Sequence, residues 1–452
     1  MTSLAPGARV HIVGVGGAGM SGLARLLVEM GCDVSGSDTV DSVVLVSLRD
    51  AGVAIHAGHD ASQGADAQIV VWSPAIPENN VELVAARNRG ATLLTRAQVL
   101  ASLAQRQPVI GLTGTHGKTT ATSMLTLVLH AAGRDDSRLL GAAVTGLGEN
   151  GHFGSGSLVL EVDESFGTFS LLAPFALGLL NVESDHLDHY VTVEALEGEF
   201  AQLLARTTGP VVVWSDDPGA SRVASRSGRE VQLVGTHDAA WIVDNVTLAK
   251  RSASFTLTGP NGALELILGV TGAHNVANAA VVAALASALD VAPDAIVTGL
   301  RAFAGAPRRF EYLGQWRGVD VYEDYAHLPG EIAATLAATR SMGYQRVTAV
   351  FQPHRVTRTL SLAQQLAAAL EAADNIVIAD IYTSGEANPT GVTGELVARH
   401  IHARRGATSA YGATFDDVVN VLESRHDQSD VVLLLGAGDI AQVAQRLSGG
   451  LS

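Results

Sequence analysis

Short apolar runs that alternate with Ala- and Leu-rich segments limit the fold of this chain more than any other feature of its sequence. The runs, such as Val109-Ile110-Gly111-Leu112, have the length of strands, and the segments between them have the length of helices. Strands are apolar throughout when helices cover both faces of a parallel sheet. The alternation therefore predicts an α/β protein with mostly parallel sheets.

Two joints divide the 452 residues into three blocks of this pattern. Gln105-Arg106-Gln107-Pro108 is the first joint, and Gly305-Ala306-Pro307 is the second. Pro and Gly are typical of breaks between regular elements, and several domains suit this length at about 100–200 residues each. The predicted domains are residues 1–106, 107–306 and 307–452.

Charge and composition exclude several classes of protein. The formal net charge of −16 argues against a nucleic acid or an anionic membrane as partner, because both require a broad basic surface. The single cysteine, Cys32, allows no intrachain disulfide, and no charged-then-apolar leader precedes the first strand, so we expect a cytoplasmic protein. The longest apolar helix, about Asn275 to Leu289, is shorter than the ~20 residues that span a bilayer, so we expect no transmembrane segment.

One of only two lysines in the chain, Lys118, lies in a glycine-containing segment that directly follows an apolar run. In a phosphate loop, backbone N–H groups cradle phosphates, the lysine reaches the terminal ones and the next Thr binds Mg2+. The standard pattern has glycine five residues before Gly117, where this chain has Leu112, so the loop is a shortened variant; the alternative is a glycine turn without a ligand. The predicted phosphate-binding residues are Gly114, Thr115, His116, Gly117, Lys118, Thr119 and Thr120.

A second glycine-rich segment, Gly14-Val15-Gly16-Gly17-Ala18-Gly19, follows the first predicted strand and begins a helix, with Asp38 19 residues farther on. This pattern is typical of dinucleotide-binding folds. It provides a glycine turn and a helix N-terminus for a diphosphate, so NAD and a UDP-sugar fit equally, and a turn without a ligand is a further alternative. The residues predicted to bind this ligand are Gly16, Gly17, Ala18, Gly19, Met20, Ser21, Ser37 and Asp38.

Polar residues follow two apolar runs of the central block. Glu161-Val162-Asp163-Glu164-Ser165 comes after one run, and Asn181 to His189 comes after the other. Because the carboxyl ends of parallel strands face the ligand crevice, their oxygen-bearing side chains suit Mg2+. A zinc site or a solvated loop remains an alternative for the second group. Asn275 and Asn278 lie three apart on one side of a helix start, either facing a ligand or acting as a cap and a surface amide.

The third block contributes cations and one acid at the end of a strand. Arg308-Arg309-Phe310 lies at the joint, and Asp324-Tyr325-Ala326-His327 ends a predicted strand. Gln352-Pro353-His354-Arg355-Val356-Thr357-Arg358 ends the next strand. Arg355 and Arg358 could grip a diphosphate or a carboxylate bidentately, or they are simply solvated at a helix start.

Taken together and in this order, the motifs resemble those of the Mur ligase family, ATP-dependent enzymes that add amino acids to UDP-N-acetylmuramic acid in peptidoglycan synthesis. The resemblance covers nearly the whole chain. A related ligase that recycles ready-made murein peptide typically has tyrosine after Asp-Glu and lacks Gln-Pro-His-Arg, and it remains the alternative. The pieces that are similar to the alanine-adding members are Gly16–Gly22, Gly114–Thr120, Asp163–Ser165, Phe351–Arg355 and Gly436–Ile440.

The resemblance implies a Rossmann-like N-terminal domain for the UDP-sugar, a central P-loop-type ATPase with a mostly parallel sheet, and a Rossmann-like C-terminal domain that closes over ATP and the amino acid. It implies ATP and Mg2+ as cofactors, with UDP-N-acetylmuramate and L-alanine as substrates. The muramyl carboxylate would attack the γ-phosphate of ATP to give an acyl phosphate and ADP. The amine of L-alanine would then displace phosphate. A monomer and a homodimer both remain open.

The resemblance also implies residue roles. Lys118 would neutralise charge on the transferred phosphoryl group. Thr119 and Glu161 would bind one Mg2+, and His186 would bind the other. The remaining implied site residues are Asn275 and Asn278 at the nucleotide; Arg309, Asp324 and His327 in the closing domain; and His354, Arg355 and Arg358 at the UDP-sugar or the acyl phosphate.

Two positions depart from the alanine-adding members of the family. Phe166 follows Asp-Glu-Ser where those members usually have aspartate, and Leu328 replaces the second of two histidines before a proline. A weakened UDP-sugar- or ATP-binding homologue is therefore a further hypothesis. A nicotinamide-dependent dehydrogenase is disfavoured, because a second phosphate loop has no role in it.

Some later members of the family hold the second metal with a carbamylated lysine after the Asp-His segment. This chain has no lysine between Lys118 and Lys250, so it lacks that device. Glu197 or Glu199 is the candidate for a substitute carboxylate.

We predict that Lys118→Ala abolishes acyl-phosphate formation and leaves UDP-sugar binding nearly unchanged, because the lysine belongs to the ATP loop alone. ATP turnover and equilibrium binding of the UDP-sugar, measured on the same preparation, check this prediction. An equal loss of both would contradict the division of labour between the two loops.

Overall fold

The computed structural model describes residues 4–39, 42–73, 76–163, 168–183, 190, 192–405, 409–447 and 450–451. The chain forms two compact units, Met1–Ala304 and Gly305–Ser452. The first unit contains two sheets, and the second contains one.

The first sheet is parallel, with strand order β3-β2-β1-β4-β5. Helix α4 begins with a capping box in which Thr95 and Gln98 bond each other's backbone N–H, which satisfies two of the donors that a helix start leaves unpaired. The strands are β1 Arg9–Val13, β2 Asp33–Asp38, β3 Ala54–Ala57, β4 Ile69–Trp72 and β5 Thr92–Thr95, and the helices are α1 Ala18–Glu29, α2 Val43–Asp50, α3 Val81–Asn88 and α4 Arg96–Ala104.

The second sheet has ten strands in the order β15-β14-β13-β12-β11-β10-β6-β9-β7-β8. Neighbouring strands from β13 to β7 in that order are parallel. The pairs β15-β14 and β14-β13 at one end of the sheet, and β7-β8 at the other, are antiparallel. The strands are β6 Val109–Thr113, β7 Ser137–Leu139, β8 Gly151–His152, β9 Leu158–Glu161, β10 Ala176–Leu179, β11 Val211–Trp214, β12 Gln232–Gly235, β13 Trp241–Ala249, β14 Ser252–Gly259 and β15 Gly262–Leu268.

Helices pack on this ten-stranded sheet. Helix α5 directly follows β6, and α9 and α10 both pack against α5. Helices α8 and α10 begin at a proline. Proline suits the first helical position, because a backbone N–H at that position would have no partner within the helix. The helices are α5 Lys118–Ala131, α6 Thr168–Leu171, α7 Val193–Arg206, α8 Pro218–Arg226, α9 Ala273–Ala288 and α10 Pro293–Arg301.

The second unit is built on a six-stranded sheet with the order β16-β17-β21-β18-β19-β20. Only β16 is antiparallel to its neighbour among these described strands. The strands are β16 Glu311–Trp316, β17 Val319–Asp324, β18 Val347–Phe351, β19 Asn375–Ala379, β20 Ser409–Gly412 and β21 Val431–Leu435, and the helices are α11 Pro329–Ser341, α12 Val356–Leu370, α13 Glu395–Arg405, α14 Phe415–Ser424 and α15 Gln442–Arg446.

The α/β class with mostly parallel sheets is confirmed. The antiparallel strands β13 to β15 were not anticipated, because they are not apolar runs: burial alternates along Ser252–Gly259, as in a strand with one face in water. Within the described residues no helix is both long and apolar enough to cross a bilayer.

The first two sheets belong to one compact unit because side chains bond between them. Asn150 Nδ2 donates to the carbonyl of Ala18 at 2.8 Å, and Ser47 Oγ donates to a carboxylate oxygen of Glu149 at 3.1 Å. The predicted boundary between residues 106 and 107 falls inside this unit and stays a prediction.

Helix α10 crosses the phosphate-loop helix α5 at a glycine. A Cβ at Gly299 would lie 2.4 Å from Val128 Cα, whereas a Cβ at Gly198 on helix α7 would meet nothing within 4 Å. The close helix packing therefore depends on the absence of a side chain at position 299.

We expect Gly299→Ala to destabilise the protein by about 1–3 kcal/mol through overpacking, although alanine favours helices. The matched control, Gly198→Ala, should be neutral or stabilising by up to about 1 kcal/mol. Thermal and urea unfolding measure both variants. A neutral Gly299→Ala would mean that α10 can move off α5 at no cost.

Candidate functional site

The segment between β6 and α5 forms a tight loop closed by Asn181, which follows the neighbouring strand β10. Thr115 N–H donates to the Asn181 carbonyl at 3.1 Å, and His116 N–H donates to Asn181 Oδ1 at 2.8 Å. Asn181 Nδ2 donates back to the His116 carbonyl at 3.1 Å. Asn181, at the end of the adjacent strand, therefore fixes the backbone conformation of the loop.

Two glycines of this loop have no room for a side chain. Gly114 has φ +144°, and a Cβ there would lie 2.9 Å from the Asn181 carbonyl oxygen. Gly117 precedes α5 with φ +83°, and a Cβ there would lie 2.8 Å from Asn278 Oδ1. A left-handed conformation and close approach together require glycine at both positions.

The Lys118 ammonium folds over the loop. Its Nζ donates to the carbonyls of Gly114 at 2.7 Å and Thr115 at 3.2 Å. Thr119 and Thr120 follow in the first turn of α5. The arrangement places a cation and a helix N-terminus at one point, which is the geometry of an anion site.

Thr119 meets Glu161 at the end of strand β9. Thr119 Oγ1 donates to Glu161 Oε2 at 2.9 Å, and Gly141 N–H donates to Glu161 Oε1 at 2.6 Å. Thr119 and Glu161 come close because β6 and β9 are parallel neighbours in the sheet, with Leu112 opposite Glu161. A hydroxyl and a carboxylate are hard oxygen ligands of the kind Mg2+ takes.

The second predicted metal position, His186, lies outside the described residues, as does Phe166. Glu197, a candidate substitute carboxylate, is buried and bonded to Arg222 Nε at 2.8 Å and Arg226 Nη1 at 2.9 Å. Its carboxylate is therefore engaged with two guanidinium groups.

A cavity of about 190 Å³ adjoins the loop. Asn278 and Asn181 contribute to its wall, whereas Asn275 turns back so that its Nδ2 donates to the Thr271 carbonyl at 2.7 Å. The two asparagines that sequence spacing grouped together thus have different partners. The lining residues are Leu180, Asn181, Trp214, Asp216, Asp217, His274, Ala277 and Asn278.

Trp214, Asp216 and Asp217 are among the lining residues that were missed in the sequence. Trp214 ends strand β11 and the two aspartates follow it, and β11 lies beside β10 in the sheet. The signal was available, because polar residues at the carboxyl end of a parallel strand face the crevice. It was overlooked because the segment belongs to no motif.

The N-terminal glycine loop is held by strand β2. The N–H groups of Gly14 and Val15 donate to the Ser37 carbonyl at 2.9 and 3.0 Å, and Gly16 N–H donates to Asp38 Oδ2 at 2.8 Å. A Cβ at Gly16 would lie 2.9 Å from that same carboxylate oxygen. Asp38 therefore bonds to the loop itself, and its role at the ligand stays a prediction.

Several side chains of this predicted set are bonded within the fold. The Ser37 hydroxyl is fully buried and donates to Glu82 Oε2 at 2.9 Å, in a network that includes His11 and His59. Met20 is buried in the core of the first unit. Ser21 Oγ donates to the Ala18 carbonyl at 3.0 Å. The Gly17 N–H donates to the Gly14 carbonyl at 3.3 Å, so the groups left to meet a ligand are mainly the backbone N–H groups of Ala18 and Gly19 at the start of α1. The ligand roles of Ser37, Met20 and Ser21 stay predictions.

In the second unit, Asp324 ends strand β17 among backbone donors. Its oxygens accept hydrogen bonds from the N–H groups of Phe310 and Ala326, each at 2.7 Å. Burial raises the pKa of Asp324 to about 6, against the lowering effect of these bonds and of Arg309. The Arg309 guanidinium lies over the Tyr325 ring, 5.0 Å from its centroid.

Two histidines beside this acid are neutral. His354 stacks on Tyr382 with centroids 5.7 Å apart and meets His327 edge-on at 5.6 Å. Burial, and then His327 and Arg358, lower the pKa of His354 to about 4. Burial likewise lowers the pKa of His327. The positive charge of the cluster therefore comes from Arg309, Arg355 and Arg358.

Arg358 and Arg355 lie at the start of α12. Arg358 Nη1 donates to His354 Nδ1 at 3.2 Å. Arg355 precedes the helix with φ +70°, and its N–H donates to the Tyr382 carbonyl at 2.8 Å. The structure brings these two arginines, His327 and His354 into one cluster, whereas the adjacent Arg308 is bonded to Glu323 at 2.8 Å.

The raised pKa of Asp324 gives a pH-dependent stability. Because its folded pKa is about 6 and its ordinary value 3.8, the folded state holds this proton more tightly. The associated stability is present below about pH 4 and is lost as pH rises through about 6. Asn cannot ionise, so the Asp324→Asn variant lacks this pH dependence. The difference in melting temperature, wild type minus variant, should therefore fall by a few degrees between pH 4.5 and 7.5. A difference that is constant across this range would contradict the assignment.

Comparison with known families matches the chain in three consecutive parts. Residues 9–108 match the catalytic domain of the Mur ligase family, residues 112–286 match the Mur ligase middle domain, and residues 308–438 match the Mur ligase glutamate ligase domain.

Known proteins align with nearly the full length of this chain. The UDP-N-acetylmuramate--L-alanine ligase of Thermobifida fusca is 40% identical, covering 97% of this chain and 96% of that protein. The enzyme of the same name from Paenarthrobacter aurescens is 42% identical, with 96% and 94% covered.

Solved structures show the same architecture. The UDP-N-acetylmuramate-alanine ligase of Thermotoga maritima superposes with a TM-score of 0.83 at 27% identity, covering 97% of this chain and 98% of that one. A murein peptide ligase from Psychrobacter arcticus shares the fold, with a TM-score of 0.74 at 24% identity and 98% of each chain covered. Since relatives with about 40% identity extend over almost its entire length, this chain belongs to the Mur ligase family.

Proposed function

We propose that this protein joins L-alanine to the carboxylate of UDP-N-acetylmuramate, with conversion of ATP to ADP and phosphate, in peptidoglycan precursor synthesis. The observation that carries the proposal is the full-length similarity to enzymes named for that reaction. The phosphate loop of the central part and the glycine loop of the N-terminal part supply sites for its two nucleotide substrates.

The first chemical step needs the γ-phosphate of ATP to be held and its charge screened. Lys118 and the N–H groups at the start of α5 perform this task in the proposal. The cavity beside Asn278 takes the nucleoside part of ATP. The muramyl carboxylate then attacks phosphorus, the bond to the β-phosphate oxygen breaks, and an acyl phosphate forms.

Mg2+ fits the pair Thr119 and Glu161. Their oxygens lie 2.9 Å apart, and a Cβ at Gly141 would lie within 3.1–3.4 Å of both side chains, so only glycine leaves space beside them. When bound there, the ion would screen the phosphate oxygens. Thr119 and Glu161 supply hydroxyl and carboxylate ligands without rearrangement of the backbone.

The C-terminal unit supplies the groups for the second step. Arg309, Arg355 and Arg358 present positive charge for the acyl phosphate, and the neutral His354 orients Arg358. Asp324, with a pKa of about 6, is ionised above pH 7 and suits the ammonium group of L-alanine. The ammonium loses one proton to solvent, and the free amine attacks the acyl carbon. The bond from that carbon to the phosphate oxygen breaks, phosphate leaves with a second proton from the nitrogen, and the amide remains.

The family matches support the domain boundaries 1–106, 107–306 and 307–452 as part of this proposal. The reaction is placed in the cytoplasm, where ATP and UDP-sugars are available. Leu328 supports the alternative of a weakened homologue, because it replaces a polar side chain immediately before α11.

Phosphate release from purified protein tests the function. With ATP, Mg2+ and UDP-N-acetylmuramate present, we expect release to require an amino acid, to be fastest with L-alanine, and to stop when EDTA removes the metal. Faster release with the tripeptide L-alanyl-γ-D-glutamyl-meso-diaminopimelate would favour the recycling ligase. Nucleotide binding without turnover would favour the weakened homologue, and release that is indifferent to the sugar would overturn the proposal.

A further inference from the structure

Arg96 is a partly buried cation that none of the motifs includes. It is the first residue of α4, directly after the Thr95 cap, and its position is therefore set by the capping box. Within the described part of the chain its Nε is buried and has no hydrogen-bond partner. Since buried guanidinium groups are normally bonded, such an atom calls for an explanation.

The guanidinium lies against the first turn of α1. A Cβ at Gly19 would lie 2.9 Å from Arg96 Nε, 3.0 Å from its Cζ and 3.3 Å from its Nη2. Gly19 is the second residue of α1, whose N-terminal N–H groups carry partial positive charge. The absence of a side chain at position 19 thus lets a full positive charge approach a helix N-terminus, and an anion bound there would be attracted by both.

Acids on the other side keep this arginine charged. Burial lowers the pKa of Arg96, and the carboxylates of Glu161 and Asp163 raise it. Glu161 is the residue that meets Thr119 at the phosphate-loop helix. Arg96 therefore contacts the glycine loop of the first sheet and interacts electrostatically with acids of the second.

From this placement we propose that Arg96 binds the diphosphate of the UDP-sugar together with the N–H groups at the start of α1. The proposal rests on the proposed function, because it names a further residue of the same sugar-nucleotide site. The planar guanidinium can donate two parallel hydrogen bonds to phosphate oxygens, a bidentate geometry that a lysine ammonium lacks. Arg96 is thus a positioning residue that holds the UDP-sugar beside Glu161.

Binding measurements without ATP isolate this role. Titration calorimetry of Arg96→Gln should show about 10- to 100-fold weaker binding of UDP, UDP-N-acetylglucosamine and UDP-N-acetylmuramate, by a similar factor for all three. In turnover, the KM for UDP-N-acetylmuramate should rise by that factor while the KM for ATP stays unchanged. Arg96→Lys should recover part of the affinity, and Gly19→Ala should weaken binding because its Cβ displaces the guanidinium.

Arg25→Gln is the matched control. Arg25 is buried, also has an Nε without a partner, and lies on α1, but its Nη2 is bonded to Ser47 at 2.7 Å and paired with Glu149 at 3.4 Å. Its loss should lower the melting temperature without a tenfold change in UDP affinity. If Arg96→Gln does not fold, Arg96→Lys and Gly19→Ala carry the test alone.

The outcomes separate this proposal from the proposed function. If Arg96→Gln bound UDP with wild-type affinity, the diphosphate assignment would be overturned. A loss of affinity confined to UDP-N-acetylmuramate would also overturn it, and would assign Arg96 to the muramyl carboxylate instead. Equal weakening by Arg25→Gln would reduce Arg96 to a structural role. Failure of the wild-type protein to bind any of the three uridine nucleotides would instead overturn the proposed function.

Discussion

The parallel pairing of β6 with β9 and β10 is the constraint on which the central site depends. It places Leu112 opposite Glu161 and Thr113 opposite Leu179, so the phosphate loop, the metal-type acid and Asn181 all emerge at one edge of the sheet. Each strand end contributes one part: the loop itself, a carboxylate for Thr119, and the amide that bonds the loop backbone. A slip of one residue in either pairing would separate these parts and turn their side chains to the opposite face.

Charge is distributed so that an acidic chain can still bind anionic substrates. The net charge is −16, yet the candidate sites contain Lys118, Arg96 and the arginines at the start of α12. In the C-terminal cluster the half-buried histidines have lowered pKa values, so the positive charge comes from arginines, which remain charged at any physiological pH. Local cations near helix starts thus act where the surface as a whole would repel phosphate.

The glycine-rich loops were predictable as loops, because their backbone conformation itself requires glycine. Gly114 and Gly117 are required by positive φ and by contact with Asn181 and Asn278, and a glycine pattern carries that requirement into the sequence. Side-chain roles were harder to predict. Asn275 and Asn278 lie three residues apart near the start of one helix, yet only Asn278 reaches the loop, because Asn275 bonds to Thr271 one turn earlier.

The sequence alone determined the α/β class, the two glycine-rich loops and the residues around Lys118, since these follow from local patterns: apolar runs, turn glycines and helix starts. Only the tertiary structure decided what distant segments do together. In the folded chain the Ser37 hydroxyl donates to Glu82, and the Glu197 carboxylate accepts hydrogen bonds from two arginines. Arg96 lies against Gly19, although the two are 77 positions apart in the sequence. The physical reason is that a buried polar group bonds to whatever strand end or helix start lies next to it. Sheet order and helix packing decide which of these segments are neighbours.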